Sequence, residues 1–155
     1  MTAYTILPAT EADALELAPL LRAPDRAEIE RLLGPGDPAA ALLDTFRGAR
    51  EAWTGRADGQ IVGMFGVNPA TLIGRIGVPW MLGSDLVPVH GPFFLRESKR
   101  AVPRMLALFP SLWNVVDATY AQALRWIAWM GFTIHPPQPL GHAGAPFCPF
   151  SLEAA

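Results

Sequence analysis

The segment from residue 114 to residue 132 constrains the fold of this chain more than any other. It reads NVVDA, then TYAQALRWIAWM, then GF. The β-branched start favours a short strand, and the stretch from Thr119 to Met130 predicts a helix. Gly131 can adopt the left-handed conformation that ends a helix without a Cβ clash, and Phe132 then begins a new strand. The segment therefore predicts a strand–helix–strand unit.

The N-terminal part of the chain predicts one strand followed by three helices. The strand covers residues 4–8, and Thr10 is a suitable N-cap for the first helix. In the second helix, Asp25 is the expected N-cap and Glu28 completes a capping box. Asp37, which is followed by proline, is the expected N-cap of the third.

Three further strands are predicted in a meander. They cover residues 51–56, 60–67 and 76–82, and the Asp-Gly pair at 58–59 is a hairpin signal between the first two. Pro79 cannot donate a hydrogen bond to a neighbouring strand, so the third strand should be bulged or splayed there.

A long helix follows the meander. Gly91 and Pro92 open it, it runs from about Phe93 to Phe109, and Pro103 should kink it. A tail rich in proline and glycine precedes one last short strand. The order β-α-α-α-β-β-β-α-β-α-β-β predicts a single domain over residues 1–155, with an α/β (α+β) mixed sheet flanked by helices.

Composition limits the classes of function. The 155 residues carry a net charge of −2, which argues against a general nucleic-acid binder. We expect neither a signal peptide nor a membrane span, because the chain has no basic N-terminal region and no long apolar run. Cys148 is the only cysteine, so no intrachain disulfide can form. The three histidines lack the spacing of metal ligands, and no metal site is expected.

The order of elements resembles the GNAT N-acetyltransferase fold over nearly the whole chain. That family has an opening strand and helices, a three-strand meander, a long helix, a strand, a helix and two closing strands. The resemblance implies a central, mostly antiparallel sheet flanked by helices.

Short segments also look like a family of small phage proteins labelled internal virion protein A, or GNAT-like phage protein. The segments are 25–28, 64–67, 77–85, 98–100, 114–118, 124–126 and 131–132. This resemblance implies other virion or assembly proteins as partners, no membrane, and a location in the host cytoplasm, the phage virion or both. It implies no particular chemistry.

Active GNAT enzymes bind the coenzyme A pyrophosphate with a glycine-rich loop between the fourth strand and the long helix. The matching segment here, residues 83–92, lacks that loop. Its two prolines have no N–H to donate, and Asp85 brings a negative charge. We therefore expect no cofactor. If acetyl-CoA does bind, the candidate residues are Gly83, Ser84, Gly91 and Arg96.

Active GNAT enzymes also use a tyrosine on the last helix to protonate the leaving thiolate. The matching position here is Ile127, which cannot transfer a proton. The remaining candidates for acid–base catalysis are Asp85 and His90, which lie in the segment where a GNAT active site would open. Alternatively, Asp85 caps a turn and His90 is a solvated loop residue.

Two sets of side chains are candidates for binding a partner. The first is a ridge on the long helix: Arg96, Arg100 and Arg104. Spaced four apart, these residues share a face that could contact an acidic partner or a phosphate, or could simply be solvated. The second is a set of tryptophans: Trp80, Trp126 and Trp129. They could line a groove or interface, or could pack in the core.

Three functions remain open from the sequence. The first is a phage-encoded GNAT-like protein that acts by binding in the virion or its assembly, without standard acetyl transfer. The second is an acetyl-CoA-dependent N-acyltransferase with a divergent loop, in which Asp85 or His90 deprotonates the amine. The third is a small-ligand binding module that uses a tryptophan-lined cleft.

Overall fold

Seven strands form one mixed sheet in the computed structural model, which describes residues 1–155. The elements are β1 (Tyr4–Pro8), α1 (Glu11–Leu17), α2 (Ala23–Leu33), α3 (Pro38–Arg47), β2 (Glu51–Ala57), β3 (Gln60–Pro69), β4 (Ile76–Gly83), α4 (Val87–Leu108), β5 (Ser111–Asp117), α5 (Ala121–Trp129), β6 (Thr133–Ile134) and β7 (Phe147–Glu153). The strand order is β1-β2-β3-β4-β5-β7-β6. Only β4 and β5 pair in parallel. The predicted fold class is confirmed.

The sheet opens between β4 and β5. The two strands pair only through residues 76–77 of β4 and then diverge. The Pro79 carbonyl accepts a hydrogen bond from Asn114 Nδ2 on β5 at 2.7 Å. The nitrogen and carbonyl of one strand residue point the same way, so the donor that Pro79 lacks would also have faced β5. The predicted splay at Pro79 is confirmed, and pairing with β3 continues in register past it.

A hydrophobic core lies on each face of the sheet. One core packs the sheet against α4 and α5 and includes Phe65 and Phe94, and the other packs it against α1–α3 and includes Leu17 and Leu42. Strands β3 and β4 approach closely at Gly63, where a Cβ atom would lie 2.7 Å from a backbone oxygen of β4. No helix has both the length and the apolar character needed to cross a bilayer.

Several predicted caps and turns are confirmed. Thr10 caps α1 in a complete capping box, and the Asp37 side chain accepts from a first-turn amide of α3. Asp58 and Gly59 both have positive φ, at 49° and 81°, as the hairpin turn requires. Gly131 ends α5 with a φ of 102°.

The predicted start of α2 was wrong. The helix begins at Ala23, and Pro24 occupies its first turn, where no backbone N–H needs a partner. Asp25 is therefore not the N-cap. Its side chain accepts the N–H of Gly83 on β4, and the Glu28 side chain accepts an N–H of β5. Long-range partners replace the local capping box.

The predicted start and kink of α4 were also wrong. The helix begins at Val87, earlier than Phe93, because a proline at position 88 is tolerated in a first turn. The residue with non-helical dihedrals is His90 (φ −116°, ψ 25°) and not Pro103. Pro92 cannot donate to the carbonyl four residues before it, so the irregularity falls in the turn between those two positions.

Candidate active site

The gap between β4 and β5 leads into a cavity of about 460 Å³. Trp80 lines it from the side of α1–α3, while Met81 and Phe94 line it from the side of α4 and α5. The cavity therefore connects the two faces of the sheet. Its walls are mainly apolar, and the ionisable side chains that line it are those of Arg22, Asp25, Glu28 and Tyr120.

The β4 edge presents free backbone groups to this gap. The Gly83 N–H donates to Asp25 Oδ2 at 2.8 Å, and the Gly83 carbonyl accepts from the Arg22 N–H at 2.9 Å, so both groups point away from β3. Strand residues two apart point the same way, which turns the N–H and carbonyl of Met81 towards the gap. No strand pairs with β4 there. Met81 therefore offers one donor and one acceptor to a ligand.

Helix α2 crosses the open end of the gap. Asp25 bonds to the end of β4, and Glu28 Oε2 accepts the Asp117 N–H, at the end of β5, at 3.0 Å. Arg31 Nε donates to Asp117 Oδ2 at 2.5 Å. These α2 residues are spaced three apart and share one face of the helix. We call Asp25, Glu28 and Arg31 the α2 brace.

The Tyr120 hydroxyl is bonded on both sides. It donates to Asp25 Oδ1 at 3.1 Å and accepts from Arg22 Nη2. The buried Arg22 guanidinium also lies over the rings of Tyr120 and Trp126, at 5.8 and 5.4 Å. Its Nε is 3.2 Å from Asp25 Oδ2 but makes no hydrogen bond. Burial, and then the Asp25 charge, raises the pKa of Tyr120. This phenol is therefore a poor proton donor.

Glu28 is the carboxyl group best suited to proton transfer. Burial raises its pKa to about 7, and the negative charges of Asp25 and Asp117 add to the rise, while the Asp117 N–H and Arg22 oppose it. Both protonation states are therefore populated near neutral pH. Oε2 is held by the Asp117 N–H, and Oε1 has no hydrogen-bond partner in the chain.

Asp85 and His90, the sequence candidates for acid–base catalysis, do not line this cavity. Asp85 is exposed. His90 Nδ1 bonds to the hydroxyl of Tyr4, the first residue of β1, at 2.9 Å. Sequence reasoning missed Glu28 as a site residue because its position in the helix also suits a capping box. The three-residue spacing of the brace was the available signal.

The segment proposed to bind a cofactor uses most of its amides internally. Gly83 donates to Asp25, the Ser84 N–H donates to the Val62 carbonyl at 2.9 Å, and the N–H groups of residues 86, 87, 89 and 90 also have partners. Residue 88 is proline, so Asp85 has the one free N–H between positions 83 and 90. Gly91 is buried and Arg96 is exposed. This segment does not fit a pyrophosphate group, which needs several convergent amides.

Two of the three ridge arginines are paired within the chain. Arg100 pairs with Glu97 at 3.0 Å, and Arg104 Nε donates to Glu51 at 3.0 Å, which leaves Arg96 without an ion pair.

The three tryptophans do not share one groove. Trp80 and Trp126 line the cavity from opposite faces of the sheet, and the exposed Trp129 lies outside it under the Lys99 ammonium, 4.4 Å away.

Comparison with known proteins gives a result at the level of fold. No protein-family model matches the sequence, and no curated protein matches it. Solved structures do match. A GNAT-family acetyltransferase from Streptococcus pneumoniae has a TM-score of 0.64 at 14% identity, covering 99% of this chain and 100% of that one. The chain has the GNAT acetyltransferase fold.

Two other structures with this fold are similar. Ribosomal-protein-alanine N-acetyltransferase from Brucella melitensis has a TM-score of 0.71 at 15% identity, covering 96% of this chain and 99% of that one. The proposed acetyltransferase yncA from Salmonella typhimurium, whose structure holds its cofactor acetyl-CoA, has a TM-score of 0.72 at 11% identity, with coverages of 99% and 95%. At these identities the GNAT fold is shown, and the site residues must decide the chemistry.

Proposed function

We propose that this protein transfers an acyl group from a thioester to an amine in the gap between β4 and β5. One observation carries the proposal: the free N–H of Met81 and the half-buried carboxyl of Glu28 face the same apolar cavity. A hydrogen-bond donor for a carbonyl oxygen and a base with a pKa near 7 are the two groups that such a transfer needs.

The donor fits this chain in part. The amide-bearing pantetheine arm of acetyl-CoA suits an apolar gap with a free backbone donor and acceptor on β4. The pyrophosphate does not fit, because the amides before α4 are used within the chain. When bound, acetyl-CoA would supply an activated acyl thioester. The protein would therefore recognise acetyl-CoA mainly through its pantetheine arm.

The residues of the site supply the base and the hydrogen-bond donor that the reaction needs. Glu28, as a carboxylate, takes a proton from the amine and leaves a neutral nucleophile. The Met81 N–H donates to the carbonyl oxygen, where negative charge develops. A C–N bond forms, the C–S bond breaks, and the nitrogen gives its second proton to water. The thiolate is protonated by water, because Ile127 offers no proton at the position where active GNAT enzymes have tyrosine.

Calorimetry with acetyl-CoA and with S-acetylpantetheine, which lacks the pyrophosphate and nucleotide, tests this proposal. We expect affinities within about threefold of each other, since a phosphate cradle would add charge-assisted bonds worth about 1.5–3 kcal/mol each. We also expect both thioesters to release free thiol when an amine is added. If neither binds at millimolar concentration and no thiol appears, the proposal fails.

Met81→Pro removes the proposed donor without removing a bond to a neighbouring strand. Pro79 shows that β4 accepts a proline whose nitrogen faces the gap. We expect thiol release to fall by about 10²–10³-fold, the usual effect of losing one oxyanion donor. Met81→Leu, which keeps the N–H, is the matched control. An equal loss in both variants would assign the effect to the side chain.

A second candidate is a binding protein of a phage virion or its assembly pathway, without acyl transfer and with other virion proteins as partners. Ile127 and the occupied amides before α4 favour it. Mass spectrometry of purified particles is the test, and absence of this chain from the particles would count against a virion role.

A further inference from the structure

The part of the cavity on the α1–α3 face is an apolar chamber. Its walls include Ile29, Leu32, Ala41 and Trp80. The polar atoms near these walls are paired with each other: Trp80 Nε1 donates to Asn68 Oδ1 at 2.7 Å, and Asn68 Nδ2 donates to a backbone carbonyl of α3 at 2.9 Å. A ligand in this chamber therefore meets mainly hydrophobic surface, and its body should be alkyl or aryl.

One carboxylate oxygen in the cavity lining can take an ammonium group. Both oxygens of Asp25 already accept hydrogen bonds, from Tyr120 and Gly83. Glu28 Oε1 accepts none. Among the charged side chains that line the cavity only Arg22 remains, and it is held by Tyr120 and Asp25. Buried charges need partners, so a second ammonium or a carboxylate on the ligand would be left unpaired.

We infer that the amine substrate of this site is an apolar monoamine, an alkyl- or aryl-alkylamine whose single ammonium meets Glu28 while its body fills the chamber between α2, α3 and β4. This inference rests on the proposed function, because it names the amine partner of the same cavity. Polyamines and free amino acids are disfavoured, because a second ammonium or a carboxylate would find no partner in the cavity.

The test measures amine binding in the absence of any thioester, by calorimetry at pH 8 on the full chain. The probes form a matched set: 2-phenylethylamine, 2-phenylethanol, phenylalanine and spermidine. We expect 2-phenylethylamine to bind about tenfold or more tightly than each of the others, the usual gain from one charge-assisted hydrogen bond. Equal or tighter binding of phenylalanine or spermidine would overturn the inference.

Variants on α2 test the role of Glu28. Glu28→Gln should abolish the preference for 2-phenylethylamine over 2-phenylethanol. Glu30→Gln, an exposed position on the same helix, should keep it. The preference should also weaken below pH 7 in the wild type, because protonated Glu28, next to Asp25, Asp117 and Arg22, cannot pair with an ammonium. A preference that survives in Glu28→Gln would contradict the assignment.

Variants on α3 test the chamber. Ala41→Phe fills it and should reduce binding of the amine and of the alcohol at least tenfold, whereas Ala40→Phe, on the exposed side of α3, should not. Thermal melts show whether both variants fold. If Ala41→Phe folds and binds normally, the ligand lies elsewhere and the inference fails.

The two proposals fail separately. If 2-phenylethylamine binds as expected but no thioester is ever cleaved, acyl transfer fails and the ligand class stands. If thiol is released with phenylalanine or spermidine but not with 2-phenylethylamine, transfer stands and the inference fails.

Discussion

Two carboxyl groups one turn apart on α2 have different roles in the cavity. Asp25 is buried, and its two oxygens already accept hydrogen bonds from Gly83 and Tyr120, so it serves to hold the gap together. Glu28 keeps one oxygen free. Burial raises the pKa of Glu28 to about 7, which implies that its charged form is destabilised in the folded chain.

This raised pKa predicts that Glu28→Gln stabilises the protein at high pH. The pKa rises from 4.5 in the unfolded chain to about 7 in the folded one. Folding stability therefore falls as pH increases between these values, by at most roughly 3 kcal/mol. Gln keeps an acceptor for the Asp117 N–H and carries no charge. We expect a higher Tm than wild type at pH 8 and little difference at pH 4.

Thermal melts at both pH values check this, with Glu30→Gln as the control. If the two variants have the same pH dependence, Glu28 titrates at an ordinary pKa and is not the base.

Tyr120→Phe separates a supporting role from a catalytic one. The change removes the hydroxyl that joins Arg22 to Asp25 and leaves buried polar groups short of one partner. We expect a loss of about 1–3 kcal/mol in the free energy of unfolding, measured with urea. The pH profile of thiol release should keep its shape. If the fall in rate at high pH seen in the wild type were absent in Tyr120→Phe, Tyr120 would instead be the proton donor.

Two kinds of contact set the geometry of the gap at the scale of elements. The α2 brace joins the ends of β4 and β5, and the close packing of β3 on β4 fixes the position of the free β4 edge. The packing is closest at Gly63, where a Cβ would lie 2.7 Å both from the Leu82 carbonyl oxygen and from Phe94 Cζ.

Gly63→Ala should therefore be destabilising. The backbone oxygen of Leu82 cannot move without breaking the sheet, so we expect a loss of about 1–3 kcal/mol. Gly36→Ala is the matched control, because a Cβ there meets nothing within 4 Å, and its effect should stay within about 0.5 kcal/mol. Urea unfolding measures both. Equal stability of the two variants would show that β3 and β4 can separate at no cost.

Sequence reasoning succeeded where signals were local. The turn at Asp58 and the splay at Pro79 follow from the chemistry of one or two adjacent residues, and the order of the elements follows from residue patterns within each segment. It failed at the start and kink of α4, where several prolines follow one another, and where the partner was distant in sequence. Asp25 bonds to a residue 58 positions away, and Glu28 to one 89 positions away. A capping-box pattern contains no information about such partners, so the three-residue spacing of the α2 brace showed which residues share a helix face but not what they bind.

At the scale of the whole molecule, the two cores share one sheet, and the cavity passes between them. We therefore predict a single cooperative unfolding transition, as expected for one domain over residues 1–155. Tryptophan fluorescence and far-UV circular dichroism should give coincident urea curves. Two separated midpoints would show that the α1–α3 side unfolds independently.

Pro79 also affects how the sheet is made. A strand edge with all its donors can pair with the next strand while the chain folds, and no slot would then remain between them. Pro79 has no N–H to donate, and its carbonyl already accepts from an asparagine side chain. This edge therefore cannot pair with β5 at that position. The slot therefore forms as the chain folds, and an arriving ligand does not have to break hydrogen bonds between strands.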